Sequence, residues 1–599
     1  MDRDALDQTI ANLVSRLLDR RVAGGWWEGR LSSSALSTAT AVSALTLAGD
    51  HGDDNVDPGL KWLAANQNAD GGWGDTILNR SNISTTLLCW CSFSIADSER
   101  RYATTLESAE AWLCREAGNL EPANLVDAIL RRYGVDRTFS VPILTVMAIA
   151  GKLGRGRDAW RNVPQLPFEL AALPHQLFGW LRLPVVSYAL PALIAIGQVR
   201  HRHRPSANPV LRATRDRLVP GTLRLLRDIQ PSTGGYLEAT PLTSFVVMSL
   251  ASAGMKDHAV VTEGVRFLRN SMREDGSWPI DTNLATWVTT LAVNVVAGLP
   301  EQEHPLDAGA KRAIRDWLLA QQYREEHPYT HAAPGGWAWT PLPGGVPDAD
   351  DTAGALLALR NLGPIDEHVR TAAKNGIRWL LDLRNSDGGI PTFCRGWGKL
   401  PFDRSGADLT AHALSAWRAW LNDVGEPLRS EVSRAITAAM SYLARTQNAD
   451  GSWAPLWFGN EHAPGEENRT YGTARTAVAF AGLPARSQRQ ALQWLRTAQN
   501  SDGGWGGAPG TPSSMEETAL ALHALSITMH DAASVSSIQK GVQWLIAATD
   551  RGTRTTVAPI GLYFARLWYF EELYPLIYSA GALIRARIAL SGSTLPFHV

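Results

Sequence analysis

Gln67-Asn68-Ala69-Asp70-Gly71-Gly72-Trp73 closes a stretch of helical periodicity that begins at Gly59-Leu60-Lys61-Trp62-Leu63. The pattern returns twice almost unchanged. Met440-Ser441-Tyr442-Leu443 leads to Gln447-Asn448-Ala449-Asp450-Gly451-Ser452-Trp453, and Leu492-Gln493-Trp494-Leu495 leads to Gln499-Asn500-Ser501-Asp502-Gly503-Gly504-Trp505. Weaker copies run from Gly264 to Trp278, from Ile314 through Gln321 and Gln322 to Trp337, and from Gly376 to Gly389. Degenerate ones sit at Trp26-Trp27, Gly234-Gly235-Tyr236 and Trp544. Such self-similarity is settled before any other assignment, because it dictates the architecture. Asp-Gly-Gly ends a helix with residues free to take positive φ. The Trp that follows folds back over the helix, and the Gln amide bonds the loop or the next helix. Each copy thus staples one helical hairpin to its neighbour.

Between the copies lie small-residue helices, at 38–47, 84–93, 286–296, 353–361, 411–421 and 473–481. The copies recur at roughly 45–65 residues, about two helices per unit. Ala-rich helices alternating with charged ones describe an all-α chain of two α/α barrels, although an open superhelix has the same local sequence. The expected division is a first, inserted barrel over 16–280 and a second over 281–599 completed by 1–15. The polar, basic stretch 200–217 reads as an exposed insertion.

The 599 residues suffice for several domains and a large core. A formal net charge of -1 gives no support to nucleic acid as a partner. Four cysteines, Cys89, Cys91, Cys114 and Cys394, form no zinc-type spacing and suit a reducing cytosol. The acidic start, Met1-Asp2-Arg3-Asp4, does not resemble a signal peptide, and no long charge-free apolar run predicts a transmembrane helix.

Pro347-Asp348-Ala349-Asp350-Asp351-Thr352 puts three carboxylates within four residues. They cannot all ionise cheaply and titrate as a unit. Buried, the cluster is a Brønsted acid kept protonated, suited to a very weak base such as a carbon–carbon double bond. The plain alternative is an Asp-rich N-cap before an apolar helix.

These repeats together with the Asp-rich stretch resemble the QW motifs and acid motif of the squalene–hopene cyclase and oxidosqualene cyclase family. Gly335-Gly336-Trp337-Ala338-Trp339 precedes Asp348 at the family's spacing. Asp408-Leu409-Thr410-Ala411-His412, Tyr471-Gly472-Thr473 and Leu573-Tyr574-Pro575 match further family segments, as does Trp160-Arg161-Asn162-Val163-Pro164-Gln165-Leu166-Pro167-Phe168-Glu169. The resemblance covers nearly the whole chain. It implies two α/α barrels around an apolar cavity, and class II, protonation-initiated cyclisation of a hydrophobic isoprenoid. Asp350 would be the proton donor, flanked by Asp348 and Asp351. His412 would hydrogen-bond it as an imidazolium with Asp408 behind, and Tyr471 would belong to the network that returns the proton. Trp287, Trp339, Phe393, Trp457 and Tyr188 would line the cavity, stabilising cations by about 0.5–2 kcal/mol per ring face. The tail 563–578 would close the cavity floor.

Three departures stand out. Val288 replaces the family's acidic residue after Trp287, and Gly388-Gly389-Ile390-Pro391 lacks its Trp. Arg200-His201-Arg202-His203-Arg204-Pro205 stands where the family has a membrane-dipping helix. Peripheral electrostatic contact with the inner membrane face therefore stays open beside a plain solvated loop, as does a homodimer. Squalene is the leading substrate, with no cofactor. A prenyl diphosphate or prenylated aromatic is the alternative; a diphosphate would need basic residues such as Arg132 or Arg137, and magnesium only then. A glycoside hydrolase fits poorly, since its carboxylates lie further apart. A prenyltransferase-like subunit would need a zinc set, which Cys394 and His412 alone do not make.

Overall fold

The computed structural model describes residues 2–49, 55–134, 136–181, 183–483, 485–527, 532–562 and 566–591. Ala35–Ala48 shows why its sequence makes an inner helix. It is apolar or small all round and buried almost throughout. Three of its hydroxyls are satisfied within the helix: Thr38, Ser43 and Thr46 donate to carbonyls four residues back at 2.7–2.8 Å. Ile83–Ile95, Ser140–Ile149, Val185–His203 and Thr240–Ser252 pack beside it in succession, and the last returns to the first. A second closed ring joins Ala285–Val296, Ala349–Asn361, Ala407–Trp420, Arg469–Ala479, Met515–Ile527 and Tyr574–Leu590. The chain is therefore two α/α barrels, not an open superhelix. Outer helices such as Glu367–Leu383 bury one stripe (Val369, Ala372, Ala373, Gly376, Ile377 and Leu380) and leave charges outside. The first helix, Arg3–Asp19, packs on Ala532–Ala548 and Tyr574–Leu590 of the second ring.

The repeat acts as read. Gln67, Gln447 and Gln499 each donate twice at 2.8–2.9 Å, once to the glycine carbonyl of their own turn and once to the next outer helix. Trp73, Trp453 and Trp505 are fully buried and donate indole N–H to the carbonyls of Leu63, Leu443 and Leu495. Trp27, Trp278 and Trp337 repeat this bond, and Tyr236 reproduces it with its hydroxyl. Trp544 is different: it bonds Asp502 of the neighbouring turn, so it is the mid-helix aromatic of a unit and not a degenerate closing Trp. Gly71 takes φ +92 against the Ser108 carbonyl, a position that no residue with a Cβ fills without strain.

The stretch 200–217 is largely exposed, as expected, but it is not an insertion. It is the end of Val185–His203, a short turn, and the start of Pro209–Asp228. His201 is buried against Asp216 at 2.8 Å, and Arg215 makes a two-pronged ion pair with Glu169 at 2.8 and 3.0 Å. Its charges knit the helices together, which the bare run of Arg and His did not reveal. Each barrel also carries a small sheet: Ser33–Ser34 pairs antiparallel with Trp278–Pro279 in the first, and Phe458–Gly459, Ile560–Leu562 and Leu567–Tyr569 form a three-stranded sheet in the second. Among the described residues no helix is long and apolar enough to cross a membrane.

Candidate active site

The acid helix begins where the Gly-Gly-Trp turn of its own repeat holds it. Asp348 N–H donates to the Trp337 carbonyl at 3.0 Å, and Trp337 N–H donates to Thr352 Oγ1 at 3.0 Å. Asp348 is extended, and its Oδ1 accepts the Asp351 N–H at 2.9 Å, so it is the N-cap of Ala349–Asn361. The capping reading is thus met by Asp348 alone. Asp350 leaves the cap and faces His412 of the next inner helix, with Oδ1 2.8 Å from Nδ1. Its side chain keeps 16% exposure while its two neighbours are shut away.

Electrostatics separate the roles further. Burial pushes Asp348 up to about 7, less the stabilisation it gains from hydrogen bonds with Asp351. Asp351 is driven well above the carboxylate range by burial and then by Asp348, and its Oδ1 has no partner among the described residues. Asp408 is held at about 7 by burial and by the charge of Asp350. It makes no hydrogen bond to the His412 imidazole among the described residues. Its Oδ1, in the first turn of Ala407–Trp420, accepts from Leu456 N–H at 3.2 Å instead. His412 is lowered by burial first, with Arg475 adding to the effect and Asp350 opposing it. The imidazolium implied by the resemblance is therefore disfavoured.

The positive charge comes instead from Arg475, which the motif reading missed. It is four residues after Tyr471, on the same face of Arg469–Ala479, a spacing the sequence does show. Burial alone would lower it, yet Tyr471, Tyr578, Asp350 and Asp408 hold it above its usual value. Its guanidinium lies 5.9 Å over the Tyr471 ring. Tyr471 is buried beside this group, is raised by burial, and makes no hydrogen bond to Asp350 among the described residues. Behind His412 a cavity of about 110 Å³ runs down the barrel, lined also by Arg475, His523, Tyr578 and Arg585. Burial and the two arginines push His523 down to about 3.

The aromatic residues do converge. Phe393 is the hub: Tyr188 lies 5.3 Å from it, Trp457 5.8 Å edge-on and Trp339 6.4 Å edge-on. Phe402, not singled out from the sequence, lies 5.7 Å away. Tyr188 comes from the first barrel and donates to the Phe393 carbonyl at 3.0 Å, so the cluster straddles the seam. Trp287 stands apart, edge-on to His412 at 6.1 Å and bonded to Tyr574 at 3.0 Å. Trp339 bonds Asp281, a buried carboxyl pushed well above its range by burial and by Glu238. Part of the tail, 563–565, lies outside the described residues. Tyr569, Tyr574 and Tyr578 are buried; Tyr569 meets Tyr574 edge-on at 6.3 Å, and Tyr574 stacks on Tyr578 at 5.6 Å.

On the outer flank of this cluster lies a cleft of about 740 Å³, lined by Tyr188 and Phe393 and by Arg324, Arg378 and Arg395; Asp350 is not in it. These arginines, and not Arg132 or Arg137, are the basic group near the site. Arg132 is paired with Glu466 at 3.3 Å and Arg137 is exposed.

Comparison with known proteins agrees. The squalene–hopene cyclase C-terminal domain matches residues 284–587 and the N-terminal domain matches 10–143. A probable squalene–hopene cyclase of Sinorhizobium fredii is 23% identical over 96% of both chains. A drimenyl diphosphate synthase of Streptantibioticus cattleyicolor is 30% identical over 47% of this chain and 50% of its own. The chain spans less than half of some other relatives, 45% of the enfumafungin synthase of Hormonema carpetanum at 24% identity. In fold, the ent-copalyl diphosphate synthase of Streptomyces platensis superposes with a TM-score of 0.60 at 19% identity, covering 98% of this chain and 100% of that one. Repeat staples and family matches together make this chain a member of the squalene–hopene cyclase family.

Proposed function

We propose that the chain cyclises a linear polyprenyl by protonation from Asp350, with squalene or a similar neutral chain as substrate. The observation that carries the chemistry is the 2.8 Å contact between Asp350 and a buried His412. With a neutral imidazole, Nδ1–H donates to Oδ1 and leaves the proton on Oδ2 for the substrate. The π pair of the terminal double bond takes that proton as a new C–H bond, and the tertiary cation left behind is attacked by the next double bond. Arg475 stabilises the carboxylate that remains. Phe393, Trp339, Trp457 and Tyr188 present ring faces or edges to the migrating charge. Proton loss or water capture ends the cascade, and Asp350 recovers its proton from the polar side of the barrel. No cofactor enters this scheme.

A prenyl diphosphate is the second reading. It is favoured by the arginine-lined cleft and by the 30% identity to a drimenyl diphosphate synthase over about half of the chain. Magnesium would enter only in that case. Purified protein incubated with squalene, and separately with geranylgeranyl diphosphate, decides between them by gas chromatography–mass spectrometry. Asp350→Asn should lose about 10²–10⁴-fold in turnover on whichever substrate reacts. An unimpaired variant would remove Asp350 as the acid.

Peripheral membrane contact fits an exposed apolar patch better than the basic stretch at 200–205. Leu173, Leu177, Trp180 and Leu181 lie exposed, with Trp397 and Leu400 beside them, and Trp397 bonds the Leu181 carbonyl at 3.1 Å. The patch adjoins the chain segments that reach the cleft, where a lipid-dissolved substrate would arrive. Trp180→Ser/Trp397→Ser protein should stay in the supernatant when sedimented with phosphatidylcholine vesicles that carry down the wild type. Equal sedimentation would refute this surface.

A further inference from the structure

We propose that His175, Glu326 and His331 bind one divalent transition-metal ion of the zinc class, which ties the two barrels together at the rim of the cleft. The residues come from opposite sides of the seam. His175 opens the short helix His175–Trp180, next to the first barrel's exposed apolar segment. Glu326 and His331 belong to the loop of the second barrel that lines the cleft.

The donor atoms already converge. His331 Nδ1 lies 2.8 Å from Glu326 Oε1, and His175 Nε2 lies 4.0 Å from the same oxygen. All three ligand atoms fall within 4.8 Å of one another. Zinc bonds of about 2.0–2.2 Å require a somewhat tighter set. Glu326, at 59% side-chain exposure, is free to swing and close it. The two imidazoles stack face to face at 3.5 Å between centroids, so one ring must turn about its Cβ–Cγ bond for both nitrogens to aim at one ion.

The loop is built to present His331. This residue takes φ +59, a conformation uncommon for a side chain of its size. It is held there by its N–H to the His327 carbonyl at 2.9 Å. His327 Nδ1 in turn faces the N–H groups of Tyr329 and Thr330 at 3.2 and 3.1 Å. Tyr329 crosses the seam to donate to the Tyr188 carbonyl at 2.6 Å. Backbone held out of its ordinary range by so many bonds fixes the direction of one ligand before the ion arrives.

Two imidazoles and one carboxylate select zinc or its neighbours over magnesium and calcium, which prefer all-oxygen sets. Three protein ligands leave a fourth position for water, on the side of the cleft that His331 lines. The site is separate from the acid, and its loss leaves Asp350 and His412 untouched.

The test uses untagged, full-length protein stripped with chelator and titrated with ZnCl2 by calorimetry, with CoCl2 absorption as a spectroscopic readout. One equivalent should bind the wild type and raise its melting temperature. His175→Ala and His331→Ala should each weaken binding by about tenfold or more and abolish the thermal shift. Glu326→Gln should weaken it in the same direction, and His462→Ala, at an exposed histidine outside the triad, should bind like the wild type. Circular dichroism of the stripped variants shows that the fold is kept. Absence of binding to the wild type at millimolar zinc, or equal binding by the His175→Ala and His331→Ala variants, overturns the site.

Discussion

Within the acid motif, neighbouring carboxyls do different work. Asp348 caps the start of the helix, Asp351 is buried with its pKa driven up, and Asp350 alone meets the imidazole. Burial lowers the His412 pKa, and the buried Arg475 interacts electrostatically with Asp350. Arg475 is accordingly a positioning and electrostatic residue, and Arg475→Gln tests it in two ways. Removing its charge should raise the His412 titration midpoint, read by NMR on labelled histidine, because Arg475 now helps to lower it. Turnover should fall about tenfold, the equivalent of one pKa unit in driving force. A lower turnover with an unmoved His412 titration would mean that Arg475 acts only through packing.

At the scale of elements, each repeat couples one helical hairpin to the next through a single glutamine. Gln447 joins the Gly451 turn to the Ser487 carbonyl at the start of Arg486–Thr497, both at 2.8 Å. Gln447→Ala should destabilise the barrel by about 1–3 kcal/mol, since two carbonyls lose their donor. The loss is measurable as a lower urea midpoint with an unchanged slope. An unchanged midpoint would mean that water replaces the amide without cost. The same logic explains why the copy at Gly388 survives without its Trp. Ile390 is fully buried, and its N–H still donates to Thr410 Oγ1 at 2.9 Å, so the turn keeps its anchor to the next inner helix.

For the whole molecule, the decisive feature is the seam. Tyr188 reaches from the first barrel into the aromatic cluster, and Tyr329 returns a bond from the second to its backbone. Tyr188→Ala should leave protonation intact and change the products toward earlier-terminated, less cyclised ones, as seen by mass spectrometry of the product mixture. An unaltered product profile would exclude the first barrel from the site. The sequence alone determined the repeat, the helical class and the acid motif, because these depend on neighbours in the chain: capping, periodicity, and a Gln or Trp a fixed distance from its turn. It also named Phe393, Trp339, Trp457 and Tyr188 through family resemblance. Only the tertiary structure decided what depends on distant partners. Ring closure chose barrels over a superhelix, burial lowered the His412 pKa, and Arg475 emerged as a buried cation that interacts electrostatically with Asp350. The basic run at 200–217 became the ends of two helices, with Arg215 paired to Glu169 from earlier in the chain and His201 paired to Asp216 within the run. Burial and long-range pairing set the energy of a charge, and neither is written in its local sequence.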